Sequence, residues 1–168
     1  MEDFARILFQ RLPPPVGADR ASLIGEFKRL QTVRIRAYQH FDASLFELVR
    51  ENRLASYSDL CSHYTSVFSD ISAAVRQLRD RLQLQDAASA RLISNIQEAE
   101  KTKLGLVAKY HMAYMSSHSP LNFAGHTEAT EDEYASKIRK LEELVSEEMD
   151  NLQSMLCEDV DLAGATIR

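Results

Sequence analysis

The chain has no tryptophan, only two cysteines, four prolines and five glycines in 168 residues. So little turn chemistry excludes a many-stranded sheet, whose tight turns draw on glycine and proline at short intervals. Cys61 and Cys157 stand nearly a hundred positions apart and cannot form a zinc knuckle by themselves. A pair so sparse implies an intracellular, reducing compartment, nucleus or cytoplasm. No run approaches the roughly 18 apolar residues of a membrane span. The start, MEDFARILFQRLPPP, sets acids before a short apolar run and lacks a small-residue cleavage site, so it does not read as a secretory signal. No unit recurs at a period of about 20–50 residues, which excludes a solenoid. A hydrophobic fraction of 45% beside 27% charged residues excludes wholesale disorder.

The motifs of catalysis are missing as well. There is no phosphate-binding glycine loop, no GxGxxG, no HExxH and no nucleophile elbow, so the expectation is a protein that is not an enzyme and carries no cofactor. His40, His63, His111, His118 and His126 never fall at i, i+4 from one another. His118, His126 and Glu128 share one segment and form a conceivable metal cluster, but solvated loop histidines are the commoner outcome and nothing else fixes their geometry. Cys61 beside Leu60 reads as a small core filler rather than a nucleophile.

Helical periodicity is what the chain does have. A short helix is expected over about residues 2–12, with Phe4, Leu8 and Leu12 four apart, ended by Pro13, Pro14 and Pro15. Residues 1–18 thus form a short helix and a stiff Pro-rich connector. From Asp19, which can cap a first turn, to Asn52, Leu23, Phe27, Leu30, Arg34, Ala37, Phe41, Ser44 and Leu48 step by four and three. That is the seam of a coiled coil, widened by Tyr38 and Leu45, and Asn52 suits a left-handed C-terminal cap. Ser56 with Asp59 reads as a capping box for the next helix, whose seam runs Leu60, Tyr64, Val67, Ile71, Ala74, Leu78 and resumes at Leu92, Ile96 and Ala99. No proline interrupts residues 56–119, so one very long helix is expected, about 85–90 Å at ~1.5 Å per residue, with the polar patch Arg81–Asp86 as the place for a hinge. The break at 52–56 has the length of an αα-hairpin connection, so residues 19–115 read as an extended helical hairpin or coiled-coil domain. Phe27, Phe41, Leu60, Tyr64, Phe68 and Ile71 are its expected core.

Residues 116–130, SSHSPLNFAGHTEAT, read as a loop. Thr130 with Glu133 forms a second capping box, opening an acidic helix over 131–157 on a seam of Tyr134, Ile138, Leu141, Val145, Glu148, Leu152 and Met155. Residues 158–168 are expected to fray. Residues 1–115 carry 16 Lys and Arg against 13 acids, whereas 116–168 carry 4 against 12. Two placements of the acidic helix stay open: a return along the distal part of the long helix, bringing acids to Lys101, Lys103 and Lys109, or engagement of a partner through Tyr134, Ile138 and Leu141.

Arg34, inside an apolar seam, either lays its stem on neighbours with its head in water, pairs with an acid of another helix, or sets register or binds a partner together with Tyr38. The basic clusters Lys28-Arg29, Arg34-Arg36, Arg76-Arg79-Arg81 and Lys101-Lys103-Lys109 are interleaved with Glu26, Asp80, Glu98 and Glu100. Direct nucleic-acid contact would want them on one face with aromatics to stack on bases, so none is expected.

One ordered pattern goes further. Leu30-Gln31…Arg34…Tyr38…Phe41 is followed by Tyr57…Leu60-Cys61…Thr65…Phe68…Ile71-Ser72 and then by Ile96-Gln97…Glu100-Lys101…Lys103-Leu104. An aromatic-bearing helix, a short break and a long helix ending in an EKxKL block resemble the required for excision 1-B domain family, over about residues 22–112. The resemblance implies a helical fold, no catalytic residues and a link to excision repair of DNA damage. Two roles follow as expectations. One is a non-catalytic accessory or scaffold protein of DNA repair working through protein–protein contacts, in a hetero-oligomer rather than a homodimer. The other is a structural coiled-coil subunit of a cytoskeletal or ciliary assembly, for which a projecting helix would suit.

Overall fold

A computed structural model describes residues 17–118 and 129–165, with side chains to Cys157. Among these residues every regular element is helical: α1 (Arg20–Arg50), a short 3-10 turn (Leu54–Ser56), α2 (Tyr57–Gln83), α3 (Ala87–His118) and α4 (Glu131–Ala165). The expected helix at 2–12 and its proline connector lie outside the described residues.

Local chemistry sets most of the ends. Ser22 N donates to Asp19 Oδ1 at 2.8 Å, capping α1 as its sequence implies. At the other end Asn52 takes φ 54°. Its N–H reaches Val49 O at 3.1 Å and that of Arg53 reaches Leu48 O at 2.8 Å, the paired bonds of a left-handed helix stop. Thr130 and Glu133 exchange bonds as a capping box, Thr130 N to Glu133 Oε2 at 2.8 Å and Glu133 N to Thr130 Oγ1 at 3.3 Å. The Ser56–Asp59 box does not form. Ser56 already has helical dihedrals because the 3-10 turn feeds straight into α2, so its hydroxyl makes no cap bond.

The one very long helix is two. The chain turns at residues 84–86, and the physical reason is Asp86 rather than any glycine or proline. Its Oδ1 accepts from Ala88 N at 3.0 Å and Ser89 N at 3.1 Å, starting α3 afresh. Its other oxygen takes the Ser89 hydroxyl and pairs with Arg20 Nε at 2.6 Å. Gln85 Nε2 donates to Ala18 O at 3.0 Å, tying the turn to the start of α1. Folding back here buries Leu82, Ala90 and Ile93 completely or nearly so, which a straight helix would leave in water.

Among the described residues the result is four antiparallel helices about one core, not a projecting hairpin. α1 packs on α2 and α2 on α3, and α3 has its most extensive contact with α4. Phe27, Phe41, Tyr64, Phe68 and Ile71 are all buried, and Leu60 packs half-buried against them. Tyr38 meets Phe68 at 4.4 Å between ring centroids and Phe41 meets Tyr64 at 4.8 Å, fixing the α1–α2 register. Of the two placements open to the acidic helix, α4 takes the return along α3. Tyr134 and Leu152 are buried, while Ile138, Val145, Met149 and Leu156 pack against the core. α4 also runs on to Ala165 rather than fraying from 158, since nothing in 158–163 is Gly or Pro. α3 likewise continues to His118, so residues 116–118 of the expected loop are helical, and residues 119–128 lie outside the described residues.

Candidate functional site

Polar side chains cross the middle of this core, and they come from three helices. Arg34 on α1 is only 2% exposed. Its Nη2 donates to Gln97 Oε1 on α3 at 2.7 Å and, more weakly, to Ser72 Oγ on α2 at 3.4 Å. Gln97 Nε2 in turn donates to Ser72 O at 3.3 Å. The guanidinium is therefore internal, and the reading in which it reaches water past its neighbours falls away. Burial pulls its pKa below the ordinary guanidinium value, and the nearby Glu100 carboxylate opposes that pull.

One turn along, Tyr38 donates its hydroxyl hydrogen to Glu100 O at 3.3 Å. Burial first, then the charge of Glu100, pushes the phenol pKa far above its usual value, so Tyr38 stays a neutral donor. Lys103 Nζ sits 4.3 Å from the Tyr38 ring centroid and pairs with Glu142 Oε1 of α4 at 3.0 Å. The layer thus joins all four helices. Arg34 Nη1, Glu100 Oε2 and both amide atoms of Gln31 are buried without a hydrogen-bond partner.

Tyr38 and Glu100 together line two of the clefts that open from this layer. The smaller, about 210 Å³, opens between α2 and α3 and is lined by Arg34, Tyr38, Thr65, Phe68, Ser72, Glu100, Lys101 and Leu104, together with Ser69. Apart from Ser69, each of those residues belongs to the ordered pattern read from the sequence. Residues up to 70 positions apart in the chain therefore meet at one place. The larger, about 470 Å³, lies between α1 and α4 beside Gln31, Ile35, Tyr38, Val145 and Met149.

A family model described as DNA repair REX1-B matches residues 22–114. The chain belongs to this family. The match takes in α2 whole and most of α1 and α3, and so every side chain lining the smaller cleft, whereas α4 lies outside it. REX1-B membership links the chain to DNA repair. No curated protein and no solved structure matches the chain.

The expected partner-binding residues divide sharply. Arg34, Tyr38 and Lys103 hold the REX1-B core together and are buried, so none offers a free head to another protein. Tyr134 is buried, and Ile138 and Leu141 are half-buried, because α4 turns its seam on this chain's own helices. Lys101 alone stays exposed, 3.3 Å from Glu98 of its own helix, at the rim of the smaller cleft. The basic clusters are dispersed: Arg29 pairs with Glu26, Arg79 with Asp80, and Lys28 bonds Gln153. Cys61 is half-buried against the core. His118 stacks on Tyr114 at 4.1 Å, whereas His126 and Glu128 lie outside the described residues.

Sequence reasoning missed two structural centres. His111 is fully buried, its Nε2 2.7 Å from Asp42 Oδ1 and its ring 4.4 Å from that of Phe41. Its position on the apolar stripe, seven residues after Leu104 and four after Val107, is a signal that would have found it. Arg20 is the other. Besides Asp86 it reaches Ser89 Oγ at 3.3 Å and the Met155 carbonyl at 3.4 Å, clasping α1, α3 and α4 at one end. No local pattern announces that contact. Among the described residues no helix is long and apolar enough to cross a membrane, and no group of acids, histidines and cysteines has metal-binding spacing.

Proposed function

We propose that this REX1-B protein is a non-catalytic accessory factor of DNA excision repair, acting in the nucleus as a member of a hetero-oligomer. Its helical surface recruits another protein, and the cleft between α2 and α3 receives one anchoring side chain of that partner. The observation that carries the reading is the convergence of the family-pattern residues on this cleft. A volume of about 210 Å³ is below the ~300–1,000 Å³ of a small-molecule site and suits a single side chain. Phe68, Leu104 and Tyr38 give it an apolar floor, while Thr65, Ser69 and Lys101 give it a polar rim, the usual anatomy of an anchoring pocket. Binding is favoured over chemistry because no histidine or cysteine lines the cleft, and its Arg34 and Glu100 already sit beside each other inside the layer. Exposed Phe46, Met112 and Leu144 are further apolar surface for partners.

Cross-linking mass spectrometry on protein purified from its source, before and after ultraviolet damage, tests the reading. A partner cross-linked at Lys101, lost in Ser69→Arg protein that keeps its helicity, is the expected result. Unchanged cross-links and normal repair in that variant would overturn it. A cytoskeletal or axonemal role loses the feature it stood on, since the chain turns at 84–86 and no long helix projects among the described residues.

A further inference from the structure

Two buried charged groups line the smaller cleft with hydrogen bonds unmade. Arg34, 2% exposed, commits Nη2 to Gln97 and Ser72 but has no partner for Nη1. Glu100, 7% exposed, has none for Oε2. Glu100 is near enough to offset part of what burial does to the Arg34 charge, yet Nη1 and Oε2 make no bond to each other. A charged donor and a charged acceptor lose more than neutral groups when left unmet in a core. An occupant of this cleft therefore has to accept and donate at one place.

Few side chains do both. A carboxylate has no hydrogen for Glu100 and brings a second negative charge, while an ammonium has no lone pair for Arg34 and brings a second positive one. A trans peptide group points its C=O and N–H to opposite sides, so a backbone segment meets one of the two and not both. A hydroxyl has a single hydrogen, which Glu100 takes, leaving none for the Thr65 and Ser69 hydroxyls at the rim. A primary carboxamide carries an acceptor oxygen and two donor hydrogens on one flat group. The same guanidinium already holds one. Gln97 Oε1 accepts from Nη2 at 2.7 Å while Gln97 Nε2 donates to Ser72 O at 3.3 Å, so that a carboxamide bridges the guanidinium and an oxygen. Nη1 and Glu100 Oε2 offer a second carboxamide the same two partners. Gln31, the other buried carboxamide of α1, lines the larger cleft and not this one.

We infer that the partner's anchoring side chain is a glutamine, whose carboxamide bridges Arg34 and Glu100 while its two methylenes lie on Phe68 and Leu104. The inference rests on the partner-cleft reading given above and adds to it the group that the cleft recognises.

Small probes titrated into the isotope-labelled full chain test it, with the Leu104 methyl signals as reporter. Butyramide, a glutamine side chain with its Cα carbon as a methyl group, is compared with butyrate, butylammonium, butanol and neutral imidazole. Butyramide should saturate with a Kd on the order of millimolar. The others should bind at least about tenfold more weakly, the loss of one hydrogen bond to a charged group. Ser69→Arg should abolish saturation, which places the probe in the cleft, and Glu100→Met should weaken butyramide about tenfold. Circular dichroism identifies a variant that has unfolded, and the ranking of the probes on the unmodified protein then decides alone. Another probe binding as tightly as butyramide, no saturation by butyramide, or saturation that either variant leaves intact overturns the inference. The partner-cleft reading stands or falls separately, on whether Ser69→Arg loses the cross-link at Lys101.

Discussion

Arg34 Nη2 and Gln97 Oε1 lie 2.7 Å apart, joining α1 to α3 in the middle of the core. Gln97 is the strong acceptor that this buried guanidinium has, and its own amide nitrogen is held by the Ser72 carbonyl. Gln97→Leu should therefore strand a charge in a poorly hydrated place and destabilise the protein by about 1.5–3 kcal/mol, the range for a hydrogen bond to a charged group. The double variant Arg34→Met, Gln97→Leu removes the charge as well and should recover part of that loss. Urea unfolding of the four proteins in the cycle gives the coupling. A double variant less stable than Gln97→Leu alone would mean that the guanidinium is not the cause.

Phe68 is 4% exposed and touches the rings of both Tyr38 and Tyr64. Phe68→Ala should remove about 3–5 kcal/mol, because the helices around it can close a cavity only partly. Phe46, 40% exposed, is the contrast, and its alanine variant should lose far less. Chemical denaturation of both variants in parallel checks this. Equal losses would place Phe68 outside the core.

Asp86 makes stability depend on acid. Burial alone would raise its pKa, but the bonds from Ser89 and the charge of Arg20 outweigh burial and hold it below the ordinary carboxylate value. A carboxylate depressed in the folded state stabilises that state above its unfolded pKa of about 3.9 and ceases to as pH falls through the lower folded value. The melting temperature should thus fall as pH drops below about 4, and Asp86→Asn should flatten that fall. Asp86→Ala at neutral pH should lose about 0.5–2 kcal/mol through the missing cap alone. An unchanged acid limb in Asp86→Asn would show that the turn does not depend on this charge.

That turn also marks where the sequence stops being legible. Seams of apolar residues three and four apart locate α1, α2, the later part of α3 and α4, because packing in a helical core demands that spacing whatever the partner helix. The caps at Asp19 and Thr130 and the left-handed stop at Asn52 are equally local, since each needs only a few neighbouring residues. The break at 84–86 is different. Leu82, Leu84, Ala87, Ala88 and Ala90 all favour helix, and what tips the balance is Arg20, more than sixty residues earlier, gripping Asp86. The polar layer follows the same logic. Arg34, Tyr38, Ser72, Gln97 and Glu100 are visible one by one in the family pattern, but that they meet depends on α3 folding back, which the turn alone provides.

His111 and Asp42 give the last prediction. His111 is wholly buried, its Nε2 bonded to Asp42 Oδ1 at 2.7 Å and its Nδ1 without a partner. Asp42 is 40% exposed on its side chain, so it can turn to water when the histidine is gone. The imidazole has no such exit. Removing one partner of a buried hydrogen bond is harsher when the group left behind cannot be hydrated. Asp42→Ala should accordingly lose about 1–3 kcal/mol, whereas His111→Phe should lose less. A phenyl ring keeps the edge contact with Phe41, 4.4 Å away between centroids, and eliminates the unmet Nδ1. Denaturant midpoints for the two variants decide it. The reverse order, with His111→Phe the more damaging, would mean that the imidazole's hydrogen bond to Asp42 matters more to this end of the protein than the packing of its ring.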